Sequence, residues 1–206
     1  MIPSLHLWRK RGIFLFRLSV REITAAALGI ALISVCSWIS VPTPVTVPFT
    51  LQTFAVCLTA ALLGLKCGLW AVAGYILLGA AGLPVFSGFR GGPGVLLGPT
   101  GGYIVGFLFT ALCVGLPLRR FGRKLPLLAA SMALGVLLCY AFGTAWFMAV
   151  YARNTGPVSL GTALSWCVLP YLIPDGVKIL LAALLTRRLA PVLTHVFRTS
   201  GAAGRG

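Results

Sequence analysis

The sequence predicts an all-α integral membrane protein of six transmembrane helices with both termini cytoplasmic, and three observations predict it. First, its 206 residues are 59% hydrophobic and 9% charged, with a mean hydropathy of +1.00; soluble domains are roughly 25% charged. Second, apolar runs approach the ~20 residues that cross a bilayer and are joined by short loops rich in proline, glycine or cations. Third, its seventeen Lys and Arg, set against two acids, Glu22 and Asp175, are sharply segregated along the chain. Five lie in the N-terminal segment, Lys66 in a turn, four at 119–124 and four beyond residue 186, whereas only Arg90 and Arg153 fall on the other set of helix ends. The positive-inside rule makes the richer side cytoplasmic.

The first helix is expected from about Ile23 to Val41, after the basic residues Arg9, Lys10, Arg11, Arg17 and Arg21. Its apolar run is too long for the core of a signal peptide, and no small-x-small cleavage site precedes Val41. Pro42, Pro44 and Pro48 then forbid a helix and predict a stiff, extended loop. Second and third spans are expected at about Thr50–Leu65 and Gly68–Leu83, joined by a tight turn at Lys66 and Cys67. The segment Pro84–Gly94 is glycine-rich but carries Phe86 and Phe89, the composition of a structured loop.

Pro99 suits the first turn of a fourth span that reaches about Leu118, closed by Arg119, Arg120, Arg123 and Lys124. A fifth runs from about Leu125 to Tyr151, long enough to tilt or protrude. The remaining apolar stretch is divided by Pro170 and Pro174 into a short interfacial or re-entrant piece, about Leu160–Leu169, and a sixth span, about Tyr171–Leu189. Pro174 is expected in the first turn of that span, with Asp175 favourably placed against the helix dipole. The organisation is therefore a basic cytoplasmic N-terminus (1–21), one six-helix transmembrane domain (22–190) and a cytoplasmic tail (191–206).

The six cysteines stand far apart, with no C-x-x-C pair, and read as packing residues. His6 and His195 fall in the polar termini and read as solvated, so no metal site or cofactor is expected. A net charge of +15 spread over several helix ends argues against nucleic acid, which needs a basic face with stacking aromatics. Membrane lipid is the partner that charge and hydropathy imply.

Asp175 and Lys178 are the acid and the base inside the apolar region, and at i and i+3 they share a helix face. Each charge near a bilayer centre costs on the order of 2.5–3.5 kcal/mol, so the pair marks a functional site, the bland alternative being a self-neutralising ion pair. The positive-inside count places it in the outer half, facing loops stiffened by proline or lined with glycine. Two small-residue stripes, Gly98, Gly102 and Gly106, and Ala27 with Ala31, suit close helix packing. No P-loop, nucleophile with a general base or pair of catalytic carboxylates appears.

Four segments carry a resemblance: Val47-Pro48-Phe49-Thr50-Leu51-Gln52-Thr53, Gly82-Leu83-Pro84-Val85-Phe86, Leu97-Gly98-Pro99-Thr100-Gly101-Gly102-Tyr103, and Pro174-Asp175 with Lys178. In this order, over about residues 20–190, they resemble the BioY family of biotin transporters. The resemblance implies a six-helix substrate-binding component of an energy-coupling factor (ECF) transporter in the cell membrane, which captures biotin from outside with high affinity. It implies a transmembrane coupling protein and two ATPase subunits as partners, although family members also act alone. Ala27 and Ala31 match its Ala-x-x-x-Ala coupling motif, and Asp175 and Lys178 its acid and lysine on the last helix. Where the family places a polar side chain in the second loop, this chain offers Ser87 or Arg90, and an arginine suits biotin's carboxylate. The candidate substrate-binding residues are thus Asp175, Lys178, Phe86, Ser87, Arg90, Gln52 and Tyr103, and the candidate partner-binding residues Ala27 and Ala31. Two rivals stand beside this reading: a membrane enzyme acting on a lipid or small apolar substrate with Asp175 and Lys178 as acid and base, and a structural subunit without a ligand.

Overall fold

The computed structural model describes residues 18–43 and 47–202, with side chains through residue 191. The basic residues 9–17, His6, Pro44 and Arg205 lie outside the described residues, as do the side chains of His195 and Arg198.

Helix α1 spans Val20–Trp38. It starts a turn earlier than apolarity predicts because Ser19 and Glu22 form a capping box: Glu22 N donates to Ser19 Oγ at 3.3 Å and Ser19 N to Glu22 Oε2 at 2.7 Å. These bonds satisfy two of the donors that a helix start leaves open. The proline loop is closed at its base by an antiparallel pair, β1 (Ser40–Val41) with β2 (Phe49–Thr50), Val41 opposite Phe49.

Helix α2, Gln52–Ala80, is interrupted at Gly64, whose φ of 76° and ψ of −177° belong to no helix. Its two limbs fold back on each other: a Cβ at Gly68 would lie 2.9 Å from Ala60 Cα, a contact an unbroken helix cannot make. The reversal thus falls at Gly64 and not at Lys66 and Cys67, because that dihedral pair is open essentially to glycine alone. Two contacts hold the turn. Arg123 donates to the carbonyls of Ala61 and Leu62, at 3.2 and 3.1 Å, capping the end of the first limb. Lys66 pairs with Glu22 at 2.9 Å.

A short helix, α3 (Pro93–Leu97), takes Pro93 in its first turn; α4, the helix of the expected fourth span, follows at Gly101–Phe121, so Pro99 precedes it and does not begin it. Helix α5 covers Leu125–Asn154, α6 Leu160–Cys167 and α7 Leu169–Ala202. Pro170 occupies the first turn of α7, and Pro174 falls inside the helix, one turn later than expected. The backbone of α7 also stays helical past Leu189, the expected end of the last span. Of the glycine stripe, Gly102 and Gly106 face Trp146 and Cys139 of α5, whereas Gly98 lies before the helix and its carbonyl accepts from Trp146 Nε1 at 3.1 Å.

Buried Ile33, Val56, Val72, Tyr75, Met132 and Phe147 form the centre of the bundle, while Leu77, Leu134, Leu137, Ile173 and Leu180 are exposed. An apolar exterior of this kind belongs in hydrocarbon, where it carries no cost of hydration. Among the described residues, five helices are long and apolar enough to cross a bilayer, α2 being counted once.

The loop after α2 is ordered, as its phenylalanines predicted. Phe86 is buried edge-on against Tyr75, ring centroids 5.4 Å apart, and Phe89 stacks on Trp38 at 5.1 Å. Ser37 and Trp38, at the end of α1, donate to the carbonyls of Val85 and Pro84 at 2.5 and 2.8 Å. The loop is therefore pinned over the same end of the bundle as β1 and β2.

Candidate functional site

That end of the bundle holds a partly enclosed cavity lined by residues of the loops and the helix ends beneath them. Its walls come from β2 and the start of α2, from the 84–90 loop, and from α3, α4, α5, α6 and α7. Most of the lining is apolar or aromatic, including Phe86, Val95, Ile104, Phe107, Val136 and Tyr171, with a few convergent polar groups, the usual makeup of a small-molecule site.

The polar centre is the pair predicted from sequence. Asp175 and Lys178 are 4% and 5% exposed, and Lys178 Nζ lies 2.6 Å from Asp175 Oδ1. Lys178 also donates to the Thr50 carbonyl at 2.7 Å and sits 4.0 Å from the centre of the Phe49 ring, a cation–π contact. Across the cavity, Tyr140 Oη donates to Asp175 Oδ2 at 2.5 Å. Both carboxylate oxygens are thus engaged once, whereas a carboxylate accepts about four hydrogen bonds, and Lys178 has used two of its three donors. The pair therefore keeps acceptor and donor capacity in a desolvated place, where such capacity is strongly attractive to a complementary ligand.

All seven residues assigned to substrate from the sequence line this one cavity. Phe86 and Tyr103 are wall residues, and Tyr103 fits against α5 because position 143 is glycine: a Cβ there would come within 2.2 Å of its ring. The Tyr103 hydroxyl pairs with Thr144 at 3.0 Å. Ser87 is buried on the lining, and its carbonyl accepts from Arg90 Nε at 3.1 Å, holding an exposed arginine at the mouth. Gln52 also lines the cavity, but its amide is committed to the frame, donating to Tyr75 Oη at 2.6 Å and accepting from Thr50 Oγ1 at 2.9 Å.

Tyr140, Tyr171 and the Thr50 carbonyl escaped the sequence reading. Tyr171 stacks on Phe49 at 6.4 Å and donates to the Val47 carbonyl, docking the proline loop against α7. A backbone carbonyl leaves no sequence signal. Tyr140 left a usable one, a phenol in the middle of an apolar span, whose buried hydroxyl needs a partner. Ala27 and Ala31 lie apart from the cavity, on an exposed face of α1 opposite buried Ala25, Ala26, Gly29 and Ile33.

A family model described as the BioY family matches residues 9–195. The chain belongs to the BioY family. Its relatives include the biotin transporter BioY of Thermotoga maritima, 42% identical over 170 residues that cover 82% of this chain and 96% of that one. The biotin transporter BioY of Rhodobacter capsulatus is 35% identical over 196 residues, covering 90% and 99%. A crystal structure at 2.1 Å of the S-component for biotin from an ECF-type ABC transporter superposes with a TM-score of 0.73 and 28% identity, over 82% of this chain and 90% of that one. This chain is thus a multi-pass protein of the cell membrane, and BioY is a family of transporters. The rival of a membrane enzyme finds no support among these relatives.

Proposed function

We propose that this chain takes up biotin, capturing it from outside the cell in the cavity around Asp175. The observation that carries the reading is the desolvated Asp175–Lys178 pair with unused acceptor and donor capacity in a largely aromatic and aliphatic cavity. Biotin's bicycle presents the complement, a cyclic urea whose N–H and adjacent carbonyl lie on one edge of an otherwise apolar body. Asp175 accepts from a ureido N–H and Lys178 gives its remaining hydrogen to the ureido carbonyl. Phe86 and Tyr103 wall the ring system, and Arg90 at the mouth meets the carboxylate of the side chain.

The chain spans the membrane six times over residues 22–190, with both termini cytoplasmic. In support, the two limbs of α2 run in opposite senses, and the Gly64 turn lies with Lys66 and Arg123 at the end away from the cavity. At 12 and 16 residues, the limbs measure about 18 and 24 Å, so the bilayer thins around this hairpin or its ends lie in the interface. In this orientation the cavity opens outward, where Arg90 and Arg153 are the exposed cations.

Energy enters through partners: a transmembrane coupling protein that packs on Ala27 and Ala31 of α1, and two cytoplasmic ATPases. The absence of a P-loop from the sequence agrees with this division of labour. The test is a thermal-shift screen of the detergent-solubilised protein against biotin and other vitamins. A ligand at about one hundred times its Kd stabilises by about 2.7 kcal/mol. A rise in melting temperature with biotin alone is expected, and indifference to biotin would overturn the assignment.

A further inference from the structure

Resting on the reading that Asp175 receives biotin's ureido group, we propose that Tyr140 is a positioning residue that aims the Asp175 carboxylate at the ligand. The two groups belong to different helices, 35 residues apart in sequence, and meet at 2.5 Å with the phenol donating to Oδ2.

Lys178 cannot aim the carboxylate by itself. Although its ammonium is held to the Thr50 carbonyl, it reaches the carboxylate through Oδ1 alone, and that single bond leaves the carboxylate free to turn about it. A second tie from another element removes that freedom. Tyr140 supplies it from the inner face of α5, where Val136, Gly143, Thr144 and Phe147 at helical spacing are all buried. With each oxygen held by a different helix, the unused lone pairs have a fixed direction before any ligand arrives. Binding then does not have to freeze the carboxylate, a cost that otherwise subtracts from affinity. The phenol has one hydrogen, and it is spent on Asp175, so Tyr140 has none to donate to the ligand's carbonyl, and its action on the ligand's N–H group runs through the carboxylate.

Asp175 is the chain's single aspartate, which opens a direct test. Protein grown with 13C-carboxyl aspartate carries one labelled side-chain carboxylate, visible as one resonance or one shifted infrared band. In Tyr140→Phe, which keeps the ring and its packing, that signal moves in the ligand-free protein, the melting temperature of the ligand-free protein stays near wild type, and calorimetric titration shows biotin weakened about tenfold, the scale of one lost hydrogen bond to a charged group. An unmoved signal, or wild-type affinity, overturns the proposal: the first means that the hydroxyl does not hold Asp175, the second that holding it does not matter for binding. A lower affinity with an unmoved signal also overturns it, since the phenol would then act other than through the carboxylate. Should Tyr140→Phe unfold early, the wild type decides by itself: the labelled signal reports whether the carboxylate stays in one environment through the titration, as a pre-aimed group does, or moves from several environments to one. If the wild type binds no biotin, the function fails, while the ligand-free signal still reports on the Tyr140–Asp175 bond.

Discussion

Gln52 Nε2 donates to Tyr75 Oη at 2.6 Å, although both residues lie in a segment that is helical from end to end apart from one glycine. On an unbroken helix 23 residues would stand about 34 Å apart. The bond exists because Gly64 reverses the chain between them. It ties the start of the first limb to the second, beneath the floor of the cavity, and Phe86 packs on the same Tyr75 ring.

The hairpin should therefore depend on Gly64. Gly64→Ala places a Cβ at φ 76°, ψ −177°, where the strain is about 1–3 kcal/mol. It should lower the melting temperature in detergent and reduce biotin binding with it. Gly94→Ala, at an unstrained position with open space around it, should leave both unchanged. Equal stability of the two variants would show that the turn tolerates a side chain.

Asp175→Asn replaces an anionic acceptor with an amide that also donates, and Lys178→Met removes the ammonium while keeping the apolar stem. Each should weaken biotin by at least about tenfold, since 1.4 kcal/mol is one decade. The double variant should lose less than the sum of the two, because the groups form one network with Thr50 and Tyr140. Calorimetric titration of the four proteins decides; wild-type affinity in a folded single variant would return the pair to a structural role.

Topology is tested by single cysteines in a background from which the six native ones have been replaced. Thr155 and Arg120 are exposed at opposite ends of the bundle. A membrane-impermeant maleimide added to intact cells should label a cysteine at 155 and spare one at 120. The reverse pattern would turn the protein over.

Ala27→Trp with Ala31→Trp should abolish copurification with a coupling partner, because indole rings on that exposed face hold helices apart. Biotin binding should survive, as neither residue lines the cavity. Retained copurification and uptake would place the partner elsewhere on the surface.

What the sequence determined by itself follows from energies that act locally along the chain. Apolar runs of bilayer length, breaks at proline and arginine clusters, and the segregation of cations are each set by the transfer of short segments into lipid, so the membrane fold, the start of α5 and the ordered 84–90 loop were legible. Asp175 and Lys178 were legible for the same reason: two charges in hydrocarbon are too costly to pass unnoticed.

Only the tertiary structure decided the rest, because it depends on what meets across the bundle. Apolarity continues through the α2 hairpin, so hydropathy brackets the reversal without locating it, and a single dihedral at Gly64 fixes the residue. Pro174 was placed in a first turn because a proline usually begins a helix, yet Pro170 takes that role and α7 carries Pro174 inside it. The partners of the buried pair, Tyr140 from α5 and the Thr50 carbonyl, lie 35 and 128 residues from the groups they bind. Satisfying a buried charge is a condition on three-dimensional proximity, and neither local pattern nor composition records which distant group fulfils it.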